Sequence, residues 1–261
     1  DSYGDLLANR LAQCNVKLRA NSRSSAYTSL AVVSFDEMNQ PSYAFYRDGT
    51  ADRDVPVADI VASFPESMSI FHVGSCALIP IEDQDAWLQV VVAAKDRGAL
   101  ISVDPNCRPS MTKDPITYRE GIARFFRLAD LIKCSDEDLE YLHPEWTDRA
   151  VETFIETYSP QLCVCTQGAE GLRASTKLGV SAQVSASLPG PLSDTVGAGD
   201  SVQGTLLSEI DRLGLVGQQL SELNESQLTK ILLLASRVAG VNCTRAGCQP
   251  PTRKEVLEVF G

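Results

Sequence analysis

The chain has 261 residues, 44% of them hydrophobic and 22% charged, with a formal net charge of −11. That length allows one large α/β domain or two small ones, and the composition is that of a soluble globular protein. The negative charge argues against a nucleic-acid surface, which needs clustered Lys and Arg, but leaves room for phosphate held by backbone amides. No apolar run is long enough to span a bilayer and no secretory segment opens the chain, so a cytoplasmic protein is expected.

Tyr3, Leu7 and Leu11 lie one helical step apart and predict a helix to about Asn15. No strand precedes it, although α/β chains of this kind usually begin with one, so the start reads as a cut or a shortened gene product. Residues 30–35 and 42–47 read as two strands, with residues 36–41 as the turn of a hairpin. Arg47, at the hairpin's end, reads either as a ligand contact or as a solvated surface charge. Residues 69–75 form a short apolar strand ending at Gly74 and Ser75, where ligands of open parallel sheets gather. His72 within it has apolar neighbours on both sides and reads as a satisfied core histidine.

A helix over 82–97, stopped by Gly98, leads to a buried strand over 99–104. The strand runs into Pro105-Asn106-Cys107-Arg108-Pro109, whose prolines enforce an extended exit. Asp104, Asn106 and Arg108 then project from the strand's end, unless Asp104 merely caps the turn and Arg108 pairs on the surface. A helix over 118–128 and a short strand over 131–133 follow. Ser135 is a good N-cap for a helix with Asp136, Glu137 and Asp138 in its first turn. After a helix over 151–158, the strand 162–166 ends in Gln167-Gly168-Ala169-Glu170-Gly171, either a ligand loop or a glycine-rich hairpin turn into 172–175. A last helix spans 230–241. Strands and helices alternate from about residue 69 onward, which predicts parallel βαβ units in one sheet, with antiparallel strands only before that point. No repeat or linker divides the chain, so residues 1–261 read as one domain with hairpin strands at about 28–52.

The eight cysteines show no zinc spacing, and only two histidines accompany them. Cys163 and Cys165 alternate within a strand and should face one side. Buried free thiols in a reducing compartment are expected.

The most informative stretch is Asp194-Thr195-Val196-Gly197-Ala198-Gly199-Asp200. An apolar stripe at Val202, Leu206, Ile210 and Leu213 follows it, so the glycines open a helix. Bare backbone there presents unpaired N–H groups and the positive dipole end to an anion. A carboxylate at that point is electrostatically awkward, and the awkwardness suggests that it takes a proton from a hydroxyl that attacks a phosphoryl group. The alternative is a helix cap behind a tight turn.

That string resembles the C-terminal signature of the ribokinase-like (PfkB) sugar kinase family. Other landmarks resemble the same family in the same order: Phe45-Tyr46-Arg47 with Thr50-Ala51-Asp52, His72-x-Gly74-Ser75, Asp104-Pro105-Asn106-x-Arg108, and Thr166-x-Gly168-x-x-Gly171. The first of them is similar to the fructokinase branch. The resemblance implies a three-layer α/β/α sheet, mostly parallel, with a small β-hairpin lid near the N-terminus. It implies ATP-dependent transfer to a primary hydroxyl of a sugar, fructose ahead of 2-keto-3-deoxygluconate or another sugar or nucleoside. Asp200 would be the catalytic base, and the amides of Gly197, Ala198 and Gly199 the anion hole. Asn106, Arg108 and Arg47 would lie at the sugar and phosphates. Thr166, Gly168, Gly171, Thr195, Asn242 and Gly247 would bind the nucleotide. Mg²⁺ would accompany the phosphates, with Asp138 standing where many relatives carry a Glu. The partners expected are a small-molecule sugar, no nucleic acid and no membrane; the bare edges of the lid strands add the expectation of a homodimer through them. Family members also carry an earlier strand with a sugar-binding Asp and a Gly-Gly-x-x-x-Asn segment. Neither lies in these residues, which keeps open a non-catalytic nucleotide- or sugar-binding remnant.

Overall fold

Period-two burial explains the central layer of the protein, seen here in a computed structural model that describes residues 1–19, 23–35, 41–145, 150–215 and 217–261. In chain order the elements are α1 (Ser2–Gln13), β1 (Leu30–Phe35), β2 (Pro41–Tyr46), α2 (Val57–Ala62), β3 (Ile70–Gly74), α3 (Ile81–Asp96), β4 (Leu100–Asp104), α4 (Pro115–Phe126), β5 (Leu131–Ser135), α5 (Asp136–Leu142), α6 (Ala150–Tyr158), β6 (Leu162–Thr166), β7 (Leu172–Thr176), β8 (Ser181–Val184), α7 (Ala198–Leu213), α8 (Glu225–Cys243) and α9 (Arg253–Phe260). β3 to β8 form one sheet in sequence order, while β1 and β2 form a separate antiparallel pair. Leu30 pairs with Tyr46 in that hairpin; the turn expected over 36–41 falls, but for Pro41, outside the described residues.

Alternate residues of each central strand go to opposite faces. Ile101, Val103, Ile132, Cys134, Cys163 and Cys165 pack against Val91 and Ala94 of α3, Ile122 and Phe125 of α4, and Phe154 of α6. Leu100, Leu131, Leu162 and Val164 point the other way, onto Val202, Leu206 and Ile210 of α7 and Leu228, Ile231, Leu232 and Ala235 of α8. These are the three layers expected for this class. Cys163 and Cys165 do share a face, and all eight cysteines are free, although Cys14 and Cys248 are exposed rather than buried.

Two expectations need correction. β3, β4, β5 and β6 are parallel, but β7 and β8 run antiparallel to their neighbours, so antiparallel pairing is not confined to the first part of the chain. The cause is the short 167–171 connection, which leaves no room for a crossover helix. Leu213, read as the last member of the α7 stripe, is 45% exposed, because the helix ends there at Gly214.

On the α7 face the strands change character along their length. Their first residues are apolar; their last are His72, Ser102, Asp104 and Lys133. The parallel register sets His72 beside Ser102 and Gly74 beside Asp104. Polar groups thus collect at the carboxyl ends of the parallel strands, beneath the start of α7.

Candidate active site

α7 opens at Ala198 with Gly197 as its N-cap residue in the left-handed region, φ +79°. Asp200 is therefore the third helical residue, and the glycines open the helix as expected. A side chain at 197 would be strained by that φ and would put its Cβ 2.3 Å from Cys248 Sγ. The turn is stapled from two sides. Asp194 accepts from Val196 N and from Gly247 N, both at 2.9 Å, and these bonds hold its carboxyl below the usual carboxylate range. Asn242 is fully buried, donating Nδ2 to Val196 O at 2.8 Å and accepting from Gln249 N at 2.8 Å. Its amide thus faces the loop that it braces, and Gly247 gives its N–H to Asp194.

The amide of Ala198 donates to Thr195 O at 3.1 Å, so within the Gly-Ala-Gly turn the bare N–H groups are those of Gly197 and Gly199. This narrows the three-amide hole expected from the sequence. Gly199 has a second neighbour: a Cβ there would stand 3.1 Å from Lys133 Nζ.

Asp200 is exposed and opens onto a cavity of 280 Å³ whose wall also includes His72, Gly74, Ser75, Trp87, Asp104 and Asn106. On its other side Asp200 borders a second cavity of 320 Å³, between α7, α8 and residues 248–253. Asn106, at φ +39°, donates Nδ2 to Ser75 Oγ at 3.3 Å. Asp104 is buried and receives Lys133 Nζ on Oδ2 at 3.0 Å, while Oδ1 is buried without a partner. Burial pushes the Asp104 carboxyl up to about 6; Lys133 pulls against that, and Asp138 and Asp200 add to it. His72 is not the core residue expected. Its Nδ1 lies 3.1 Å from Ser102 Oγ, with Gln203 of α7 bonded to the same hydroxyl at 2.7 Å. Desolvation lowers its pKa, partly offset by a hydrogen bond at Ser102 and by Asp200.

Other expected site residues lie elsewhere. Arg108 turns back on its own corner, with Nη1 donating to Asn106 Oδ1 at 2.5 Å and to Cys107 O at 2.8 Å. Arg47 donates Nε to Asp52 Oδ2 at 2.7 Å, and Thr50 Oγ1 donates to Asp52 Oδ1 at 2.6 Å, so the Phe-Tyr-Arg and Thr-Ala-Asp landmarks knit the hairpin end to itself. Arg47 faces a separate groove of 920 Å³ between the hairpin and residues 79–82 and 110–113. Thr166 ends β6, and Gly168 and Gly171 shape the hairpin into β7, both with positive φ. Asp138 accepts from Cys107 N at 2.7 Å and from Ser135 N at 2.9 Å, closing a capping box that ties α5 to the 104–108 corner. No group of three or more His, Cys, Asp or Glu side chains among the described residues could cage a metal ion. A divalent cation here would be carried mainly by phosphate and water, as suits magnesium.

Ser102 and Gln203 were not singled out from the sequence, and Lys133, which opens a Lys-x-Ser-Asp-Glu string similar to the fructokinase branch, was given no role there. The available signal was a lysine inside an apolar strand, since lysine is almost never fully buried unless paired.

The geometry at residue 197 makes a stability prediction. Gly197→Ala should lower the midpoint of thermal unfolding, with about 1–2 kcal/mol from the left-handed φ and a further loss from the Cys248 clash. Adding Cys248→Ala should relieve the Sγ part of the clash and leave the 3.0 Å approach of its Cβ and the backbone cost. A parent-like midpoint for Gly197→Ala alone would show that the turn does not need glycine.

The same chain matches the family described as pfkB family carbohydrate kinase over residues 1–255. Fructokinase-2 of Zea mays is 30% identical over 255 residues, covering 96% of this chain and 73% of that protein. The fructokinase of Rhizobium leguminosarum bv. trifolii is 31% identical over 233 residues, covering 87% and 69%. Among solved structures, the fructokinase of Xylella fastidiosa with bound ATP aligns with a TM-score of 0.88 at 25% identity, covering 100% of this chain and 82% of that one. Since the match runs through the turn at 197–200 and the cavity beside it as well as the scaffold, the chain belongs to the pfkB family of carbohydrate kinases and is a sugar kinase.

Proposed function

We propose that this protein transfers the γ-phosphoryl group of ATP to a primary hydroxyl of fructose, with Asp200 as the general base. The observation that carries the reading is the position of Asp200, in the first turn of α7 and on the cavity that holds Asn106 and Asp104. Relatives named fructokinases and a relative's structure with ATP support the choice of substrates.

In this reading the sugar hydroxyl gives its proton to Asp200 as its oxygen meets the phosphorus, and the nucleoside diphosphate leaves. The amides of Gly197 and Gly199 face the charge that gathers on the phosphoryl oxygens, as an oxyanion hole does. Magnesium, travelling with the nucleotide, would neutralise phosphate charge. Asn106 orients the sugar. Arg108 works through Asn106, which it holds by two bonds, and Arg47 works by fixing the hairpin. Thr166, Gly168, Gly171 and Thr195 line the nucleotide's path, braced by Asn242 and Gly247. Asp138 keeps the Asp104–Arg108 corner in place, and any contact with the cation would be indirect.

Asp200 and the Lys133-paired Asp104 are the charged groups lining the cavity, and no Lys or Arg lines it to hold a substrate carboxylate. A sugar carboxylate would meet Asp200 without a partner, since like charge in a confined space repels. Fructose is therefore favoured over 2-keto-3-deoxygluconate. The protein is assigned to the cytoplasm, in keeping with its free thiols; no helix among the described residues is long and apolar enough to cross a membrane.

Asp200→Asn should leave thermal stability and ATP affinity unchanged and lower kcat by about 10²- to 10⁴-fold, measured by ADP release across a panel of sugars. Parent-rate turnover would remove Asp200 from the role; faster turnover of 2-keto-3-deoxygluconate than of fructose would change the substrate. The hairpin also leaves Leu30, Val32, Val33 and Tyr46 exposed on an unpaired sheet, and a second copy of the chain is the partner assigned to it. Light scattering should return twice the chain mass; a monomer at micromolar concentration contradicts the dimer.

A further inference from the structure

Lys133 violates the ordinary rules of burial. It is 4% exposed, in a strand where Leu131, Ile132 and Cys134 are fully buried. Its ammonium donates to Asp104 Oδ2 at 3.0 Å and presses on the start of α7, 3.1 Å from where a Cβ of Gly199 would stand. The N-terminus of a 16-residue helix carries the positive end of its dipole and repels a cation. A hydrophobic side chain of similar volume would fill the same space without taking a charge from water. Burial pulls the Lys133 pKa down, but Asp104 and Asp138 more than offset it, so the ammonium stays charged. Asp104 compensates it from one side only: Oδ1 has no partner, and the residue lines the cavity shared with Asp200. A fixed cation, a helix end of the same sign and bare amides therefore converge on one point, and an anion arriving there relieves all three.

The geometry points to Lys133 as a positioning residue for phosphoryl transfer, anchored by Asp104 behind Gly199, where its fixed positive charge strengthens the amide hole as the transferring phosphoryl group gathers negative charge. This rests on the reading of 197–200 as the phosphoryl site. Lys133 keeps its proton throughout; the hydroxyl proton goes to Asp200, and the phosphoryl group passes from ATP to the sugar oxygen.

The test separates this role from simple neutralisation of Asp104. Lys133→Met alone strands a buried carboxylate and is expected to lose stability, so the informative variant is Asp104→Asn/Lys133→Met, which removes both charges together. Its kcat should fall about 10- to 100-fold, the scale of one charge acting over several ångströms in a partly screened site. KM for fructose should stay within about threefold, and affinity for ADP with aluminium fluoride should fall in parallel with kcat while affinity for ATP holds. Lys133→Arg, which keeps a cation beside Asp104, should retain more of the rate than the double variant. A folded double variant with the parent kcat and parent affinity for the fluoride complex would overturn the proposal. Asp200→Asn, assayed alongside, distinguishes the two failures. If it is inactive while the double variant is parent-like, only the Lys133 role falls; if it turns over normally, the phosphoryl-site reading falls with it.

Discussion

A helix whose first turn carries no side chain at its tip is the constraint on which the rest of this protein depends. Gly197 takes a left-handed conformation so that α7 can begin abruptly, and the residues around it are committed to keeping it there. Asp194 ties the incoming loop to Val196 and Gly247, Asn242 ties it to the end of α8 and to Gln249, and Cys248 occupies the space a side chain at 197 would need. Each of these residues directs its hydrogen bonds or its bulk at the loop. The outcome is a braced turn whose amides at 197 and 199 take no backbone partner among the described residues, and fixed dipoles are what electrostatic stabilisation of developing charge requires.

The sheet beneath is graded to match. On the α7 side Leu100, Leu131 and Leu162 seal the core at the amino ends of the strands, while His72, Ser102, Asp104 and Lys133 occupy the carboxyl ends. The change falls within two residues of the same strands, so the fold reaches from dry core to charged site in one step. Asp104 and Lys133 form the hinge of that gradient. Neither charge would be stable there alone, and together they leave one carboxylate oxygen buried without a partner and the ammonium beside Gly199. The Asp138 capping box holds the strand exit that carries Asp104 and Asn106, which makes a local helix signal part of the site's geometry.

Much of this was legible in the sequence, because the strongest signals were local. The glycine turn before Val202, Leu206 and Ile210 announced the start of α7, and Ser135 with Asp138 announced α5. Burial period and turn chemistry also located β3 to β6, but not β8 over Ser181–Val184. What escaped was pairing across the chain. Nothing near Arg108 reveals that its guanidinium folds onto Asn106, and nothing near Arg47 reveals that Asp52 claims it. His72 looked like a core residue because its sequence neighbours are apolar, yet alternate strand residues face opposite sides, so neighbours one position away say little about its surroundings. The antiparallel turn of β7 and β8 was hidden for a similar reason: the 167–171 glycines fit a ligand loop and a hairpin equally well, and only the absence of a helix between β6 and β7 decides.

The most direct test of the whole account is a crystal structure of this protein with fructose, ADP and aluminium fluoride. One primary hydroxyl of the sugar should lie within about 2.6–3.2 Å of an Asp200 carboxylate oxygen, with the fluoride group against the amides of Gly197 and Gly199. A sugar whose hydroxyls all lie beyond reach of Asp200, or a fluoride group seated away from the start of α7, would contradict it.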